Sequence, residues 1–157
     1  MKNILITGGA GFIGSRLCEK LFDKGYKITV LDNLSPQIHG DGASNLFKKI
    51  KDKCIFIKGD VRNKEDWKIA IKGQDIIVHL AAETGTGQSM YEVEKYNEVN
   101  IMGTAHMLEL LSNTNHSVKK MIVASSRAIY GEGKYICENH GETYPTQRND
   151  SDMNKGE

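Results

Sequence analysis

The stretch ITGGAGFIGS, residues 6–15, comes out of the apolar run KNILIT of residues 2–7 and leads into a segment where Ile13, Leu17 and Leu21 recur every four residues. A short apolar run that stops at glycines reads as a buried strand. The four-residue recurrence, with Phe12 at its head and Cys18 and Phe22 beside it, reads as one helix face closed at Lys24-Gly25. Glycines at 8, 11 and 14 therefore sit on a strand-to-helix turn, and those at 9, 11 and 14 also fit G-x-G-x-x-G. Strand, glycine turn and helix in that order form the setting in which a dinucleotide is bound. Gly8 and Gly11 let the backbone approach a pyrophosphate whose charge rests on the helix N-terminus. Gly14 lets the helix pack closely.

The second strand, KITVLD over residues 27–32, ends on Asp32, 18 residues after Gly14. A carboxylate there accepts hydrogen bonds from the adenosine ribose hydroxyls and repels a 2′-phosphate. No Arg or Lys lies between residues 28 and 47 to offset that repulsion, so the expected cofactor is NAD rather than NADP.

The same alternation continues outward. Residues 33–43 read as a loop around Pro36, Gly40 and Gly42, and 44–51 as a short helix. CIFIKGD, KEDWKIAIK and DIIVHLAA read as strand, helix and strand. Residues 92–113 are the longest helix, with Val99, Met102, His106 or Met107, Leu110 and Leu111 on its apolar face, and KKMIVASS is a fifth strand. Alternating strands and helices predict an α/β fold, a doubly wound parallel sheet of Rossmann type in the order 3-2-1-4-5 with helices on both faces. Domain limits follow: 1–131 as a dinucleotide-binding domain, and 132–157 as polar, aperiodic loop or the start of an insertion.

The bulk numbers exclude several classes. With 21 basic and 20 acidic residues, the chain has no charge footprint for nucleic acid or an anionic membrane. No apolar run approaches the roughly 20 residues needed to span a bilayer. The apolar start of the chain is too short for a signal peptide. Cys18, Cys54 and Cys137 are odd in number and far apart, which argues against disulfides and for a cytoplasmic setting.

Beside TGGAGFIGS and LDN stand GDVRN (59–63), HLAAETGTGQSM (79–90), YNEVNIMGT (96–104) and SSRAIYG (125–131). With these blocks in order, residues 1–131 resemble the extended short-chain dehydrogenase/reductase family, in particular its NAD-dependent nucleotide-sugar epimerases and dehydratases. The resemblance implies roles. Backbone N–H groups of Phe12 and Ile13 join Gly8, Gly11 and Gly14 around the pyrophosphate, and Asp32 with Asn33 takes the adenosine ribose. Asp60 and Val61 contact adenine, although Asp60 also fits a plain strand end that caps the next helix. Leu80, Ala81, Ala82 and Thr84 line the path of the ribose and nicotinamide. Asn100 matches a buried asparagine of the long helix, and Ser125 sits near the nicotinamide ribose. Ser126, four before Tyr130, matches the hydroxyl residue that polarises the substrate. His79 and Trp67 read as packing, while Met90 and Tyr91 fit either a substrate wall or a helix start.

The family works with Tyr-x-x-x-Lys on a helix, whose i and i+4 side chains share a face. Tyr130 and Lys134 have that spacing, but Gly131 and Gly133 between them disfavour a helix at about 1 kcal/mol each. Neither Tyr135 nor Tyr144 has a lysine four further on. The catalytic helix and the substrate domain are thus expected to lie outside this chain, which reads as the NAD-binding part of a longer, homodimeric nucleotide-sugar epimerase and is inactive alone. Dehydratases of the family carry Asp-Glu after the hydroxyl residue, where Arg127-Ala128 stand here. A dehydratase, reductase or decarboxylase of the family, and a non-catalytic NAD-binding module, remain as alternatives. Cys137-x-x-His140 has metal-ligand spacing, but two ligands do not close a zinc site, so no metal is expected from this pair alone; the alternative is the first half of a zinc-binding insert whose second half lies beyond residue 157.

Overall fold

The computed structural model describes residues 2–40, 44–146 and 150–155. They fall into two compact units, Met1–Ala124 and Ser125–Glu157. In the first unit β1 (Asn3–Thr7), β2 (Lys27–Asp32), β3 (Ile55–Lys58), β4 (Ile76–His79) and β5 (Lys120–Val123) form one sheet in the order β3-β2-β1-β4-β5. Every pairing is parallel, with Ile4 of β1 opposite Ile28 and Ile76, and Thr7 opposite Leu31 and His79. The expected doubly wound sheet is present.

Strand side chains alternate between two cores because successive residues point to opposite faces. Ile4, Ile6, Ile28, Val30 and Val78 pack with Cys18 and Ile50, under α1 (Phe12–Asp23) and α3 (Asn45–Ile50). Leu5, Leu31 and Ile77 face the other way, onto Trp67, Ala70 and Ile71 of α4 (Lys64–Ile71) and Met107 and Leu110 of α6 (Gly103–Asn113). Both faces are covered, so the central strands read as unbroken apolar runs. β5 differs: Met121, Ile122 and Val123 are 39%, 45% and 46% exposed, leaving an apolar edge strand.

α3 and α4 start on side-chain caps. Ser44 Oγ accepts from the Phe47 N–H at the start of α3, and Asn63 Oδ1 accepts from the Glu65 N–H at the start of α4. Trp67 is fully buried and its indole N–H donates to the Val61 carbonyl, tying α4 to the loop after β3.

Several expectations need correction. The stretch expected to be loop after β2 contains a helical turn, α2 (Pro36–His39), started by the proline at N1; residues 41–43 lie outside the described ones. The long helix is α5 (Val93–Asn97) and α6 joined by a π-helical turn at Glu98–Met102. The extra residue in that turn rotates the face, so Met102 is 48% exposed while Val99, Met107 and Leu110 stay buried. Phe12 and Ile13 do not belong to the buried face of α1; they are 72% and 68% exposed, and Gly14, Ser15 and Cys18 are the buried positions.

The second unit holds a 3₁₀ turn (Arg127–Tyr130), the antiparallel pair β6 (Tyr135–Cys137) and β7 (Gly141–Thr143), and α7 (Asp150–Lys155). Residues 132–157 are expected from the sequence to be aperiodic loop or the start of an insertion, and the described part carries a short hairpin and a helix. The strands are three residues each and Ile136 is 81% exposed, so no two-residue apolar rhythm exists to announce them. Gly131 and Gly133 have φ of 64° and 87°, which ends the helical turn at Tyr130. Tyr130 and Lys134 share no helix, and Lys134 pairs with Glu142 across the hairpin.

Candidate functional site

The turn after β1 is shaped by close approach. Gly8 has φ 65°, and a Cβ there would lie 2.8 Å from the Ala81 nitrogen. A Cβ on Gly14 would lie 2.3 Å from the Gly8 carbonyl oxygen. The first turn of α1 is therefore pressed onto the loop. Gly11 is its N-cap, no side chain caps it, and no acidic residue stands in its first turn. First-turn N–H groups have no intrahelical partner, so those of Phe12 and Ile13 present partial positive charge suited to an anion.

Asp32 closes one side of this cradle. Its carboxylate accepts from the Ala10 N–H at 3.0 Å and the Leu34 N–H at 2.9 Å. Two of its roughly four acceptor positions are thus used by backbone N–H groups. His39 packs behind it, 3.7 Å from Oδ1 and bonded through Nδ1 to Ser44 Oγ at 2.8 Å. The sheet register also brings Lys58 of β3 beside Asp32, a neighbour 26 positions away in sequence. Among the described residues no ion pair joins them.

Next to this pocket Asp60 sits in a polar cluster. It accepts from Arg62 Nε at 3.0 Å, Arg62 Nη2 at 2.8 Å and Asn33 Nδ2 at 3.0 Å. Burial alone would raise its pKa, but these bonds outweigh that and hold it at about 2. Its backbone N–H donates to Asp66, and the cap of α4 is Asn63, so Asp60 is not the helix cap.

The other side of the cradle is built without charge. Thr7 Oγ1 accepts from the Leu80 and Ala81 N–H groups, each at 3.2 Å. Its own proton then goes to His79 Nδ1 at 2.6 Å, which makes Nδ1 the acceptor and Nε2 the protonated nitrogen. Nε2 donates to Thr104 Oγ1 at 3.1 Å, and Thr104 donates to the Asn100 carbonyl at 3.1 Å. Burial pushes the His79 pKa down to about 4, so the ring is neutral near pH 7. This chain fixes the Leu80–Ala81 backbone where it passes Gly8. His79 is the packing residue expected, with a positioning role that no sequence signal revealed.

Residues 4–151 match the NAD dependent epimerase/dehydratase family. The chain belongs to this family. Among its relatives, the dTDP-L-rhamnose 4-epimerase of Burkholderia thailandensis is 38% identical over 94% of this chain. The putative UDP-glucose 4-epimerase of Methanocaldococcus jannaschii is 36% identical over 87%. A solved UDP-glucose 4-epimerase from Stenotrophomonas maltophila, with bound NAD and formylated UDP-arabinopyranose, superposes with a TM-score of 0.71 at 26% identity over 83% of this chain. The chain spans 40%, 43% and 39% of those three proteins.

In this epimerase/dehydratase-family chain Asn100 is exposed rather than buried. Its amide accepts from the Glu83 N–H at 2.9 Å and donates to the Glu83 carbonyl at 3.1 Å, clamping the segment after β4. The π turn that carries Asn100 turns it toward that loop. Ala82 and Thr84 are exposed beside it, and Met90 and Tyr91 are exposed on the 3₁₀ turn Gln88–Met90 and its end. Tyr91 and Lys95 also have Tyr-x-x-x-Lys spacing, but Lys95 is committed to Glu92 and Glu83, at 2.9 and 3.7 Å.

Ser125 and Ser126 belong to the second unit. Ser126 Oγ accepts from the Ala128 N–H at 3.1 Å, which leaves its own proton free to donate. Cys137 Sγ lies 3.2 Å from His140 Nδ1 at the hairpin tip, and among the described residues no group of three or more His, Cys, Asp or Glu side chains is placed to hold a metal ion. A cavity of about 690 Å³ lies away from the glycine turn. Ile69, Ile71, Leu110 and His116 line it where α4 and α6 lead back to the starts of β4 and β5, at the opposite end of the sheet. Among the described residues no helix is long and apolar enough to cross a membrane.

Proposed function

We propose that this chain is the NAD-binding portion of a nucleotide-sugar 4-epimerase. The observation that carries the reading is the joined geometry of Gly8, Gly14 and Asp32: a backbone surface too close for any side chain, beside a helix start without an acidic residue, flanked by a buried carboxylate with unused acceptor positions. That donor and acceptor set fits NAD. When bound, NAD supplies the hydride acceptor and donor for transient oxidation of the sugar.

The chain's own residues bind and orient. Phe12 and Ile13 offer backbone N–H groups to the pyrophosphate, and Gly11 lets it approach. Asp32 receives the adenosine ribose hydroxyls with Asn33 beside it, and Asp60 with the Val61 backbone takes the adenine edge. Leu80, Ala81, Ala82 and Thr84 line the ribose and nicotinamide path, held by Thr7, His79 and Asn100. Ser125 and Ser126 supply hydroxyls, Ser126 with a proton free for a substrate oxygen. Similarity to dTDP-L-rhamnose and UDP-glucose 4-epimerases supports nucleotide-sugars inverted at C4 as the substrate class. A homodimer and a cytoplasmic setting complete the reading. Titration calorimetry tests it: one NAD per chain is expected, with no epimerase turnover of UDP- or dTDP-sugars by this chain alone. Absence of NAD binding would refute it.

A further inference from the structure

We propose that Gln37 and Gln88 form a clasp across the mouth of the cofactor crevice and set how fast a dinucleotide enters and leaves. The inference rests on the NAD reading above. Gln37 stands on the α2 turn after β2, and Gln88 on the 3₁₀ turn after β4. Their side-chain amides bond reciprocally: Gln37 Nε2 donates to Gln88 Oε1 at 2.7 Å, and Gln88 Nε2 donates to Gln37 Oε1 at 3.2 Å.

Topology gives this pair its meaning. β1 lies between β2 and β4, and the glycine turn leaves the end of β1. A bond between the loops that follow β2 and β4 must cross in front of that end. A dinucleotide reaching from Asp32, at the end of β2, to Ala81, after β4, spans the same gap in the same direction. The crevice is the one where the strand order reverses, at which such sheets take their ligands.

Both arms are anchored. α2 is held from below by buried His39 on Ser44. On the other arm Gln88 Oε1 accepts from Tyr96 Oη at 3.0 Å, and Gln88 Nε2 donates to Glu92 at 2.8 Å. Tyr96 is itself fixed by the Gly85 N–H at 2.8 Å. Lys95 Nζ donates to Gln37 Oε1 at 3.3 Å. These charged neighbours dictate the amide orientations: the cation requires oxygen on Gln37, and the Glu92 carboxylate requires nitrogen on Gln88. The reciprocal pair follows. Its bonds are solvent-exposed and individually weak, so it opens readily, yet it stands closed between the two anchors.

Stopped-flow measurement of NAD association and release on this chain tests the clasp, with Gln37→Ala, Gln88→Ala and the double variant. Each single variant should speed both entry and release by about tenfold, the scale of a lost pair of exposed hydrogen bonds, with a smaller change in Kd. The double variant should match the singles, because one amide without the other closes nothing, and the melting temperature without NAD should stay within the unaltered chain's error. Unchanged rates in Gln37→Ala refute the clasp. So does an effect confined to Gln88→Ala, which would make Gln88 a support for Tyr96 only. If the unaltered chain binds no NAD, the NAD reading fails and the clasp with it; unaltered rates with normal NAD binding sink the clasp alone.

Discussion

The two sides of the glycine turn are built on opposite principles. On the side of the loops after β2 and β3, Asp60, Arg62 and Asn33 form a polar, partly exposed cluster in which Asp60 and Arg62 hold one another. On the side of the loop after β4, Thr7, His79 and Thr104 do the positioning with neutral groups in one directed chain of donors, with Thr7 and His79 buried and Trp67 packed on the His79 ring. A charged cluster at the surface is screened and adjustable. A buried neutral chain tolerates no missing member, because each orphaned partner has lost its water. One side is therefore expected to be soft to mutation and sensitive to salt, and the other brittle and sensitive to mild acid.

The sharpest way to break this contrast is Thr7→Val. The shape is kept and the Leu80 N–H still donates to the Thr7 carbonyl, but the Ala81 N–H and His79 Nδ1 lose their partner, and stability should fall by about 3 kcal/mol in urea unfolding. A loss below about 1 kcal/mol would show that the chain of hydroxyls is ornamental.

Acid separates the two sides next. His79 has its folded pKa lowered, to about 4 from 6.5, so the unfolded chain takes up a proton first as pH falls. Its contribution is complete above pH 6.5 and is lost as pH drops toward 4, up to roughly 3 kcal/mol in all. Asp60 is also lowered, from 3.8 to about 2, so its contribution is present above pH 3.8 and is lost only as pH falls through 2. Unfolding midpoints measured from pH 7 to 2.5 should decline first in the histidine window. His79→Gln should flatten that decline while leaving the lower one in place, and an unaltered pH profile in His79→Gln counts against the assignment.

The smallest effect belongs to the charged cluster. Arg62 has a side chain 43% exposed, and Arg62→Ala should cost under about 1 kcal/mol. Raising salt from about 0.05 to 1 M should shrink even that difference, because screening weakens exposed pairs. A large, salt-independent loss would place Arg62 with the buried chain instead.

What the sequence made legible follows from what periodicity encodes. Apolar runs and the four-residue recurrence announced the five parallel strands and their helices, and the glycines with Asp32 announced the cradle. Pairing over long separations left no local trace. Thr7 meets His79 across 72 positions, Gln37 meets Gln88 across 51, and only the sheet brings them together. His39 behind Asp32 was hidden in a stretch rich in turn-forming residues. The π turn was invisible because one extra residue per turn leaves the apolar count of a helix almost unchanged. The β6–β7 hairpin buries no apolar face, so the pattern that identifies strands was absent from it.

The central claim is that Asp32 and the glycine turn make an NAD site, and the direct measurement is calorimetric titration of this chain with NAD and with NADP under identical salt and pH. NAD should bind tighter by about tenfold or more, because a carboxylate at Asp32 is suited to ribose hydroxyls and repels a 2′-phosphate. Equal affinities, or a preference for NADP with Lys58 of β3 meeting the extra phosphate, would contradict it.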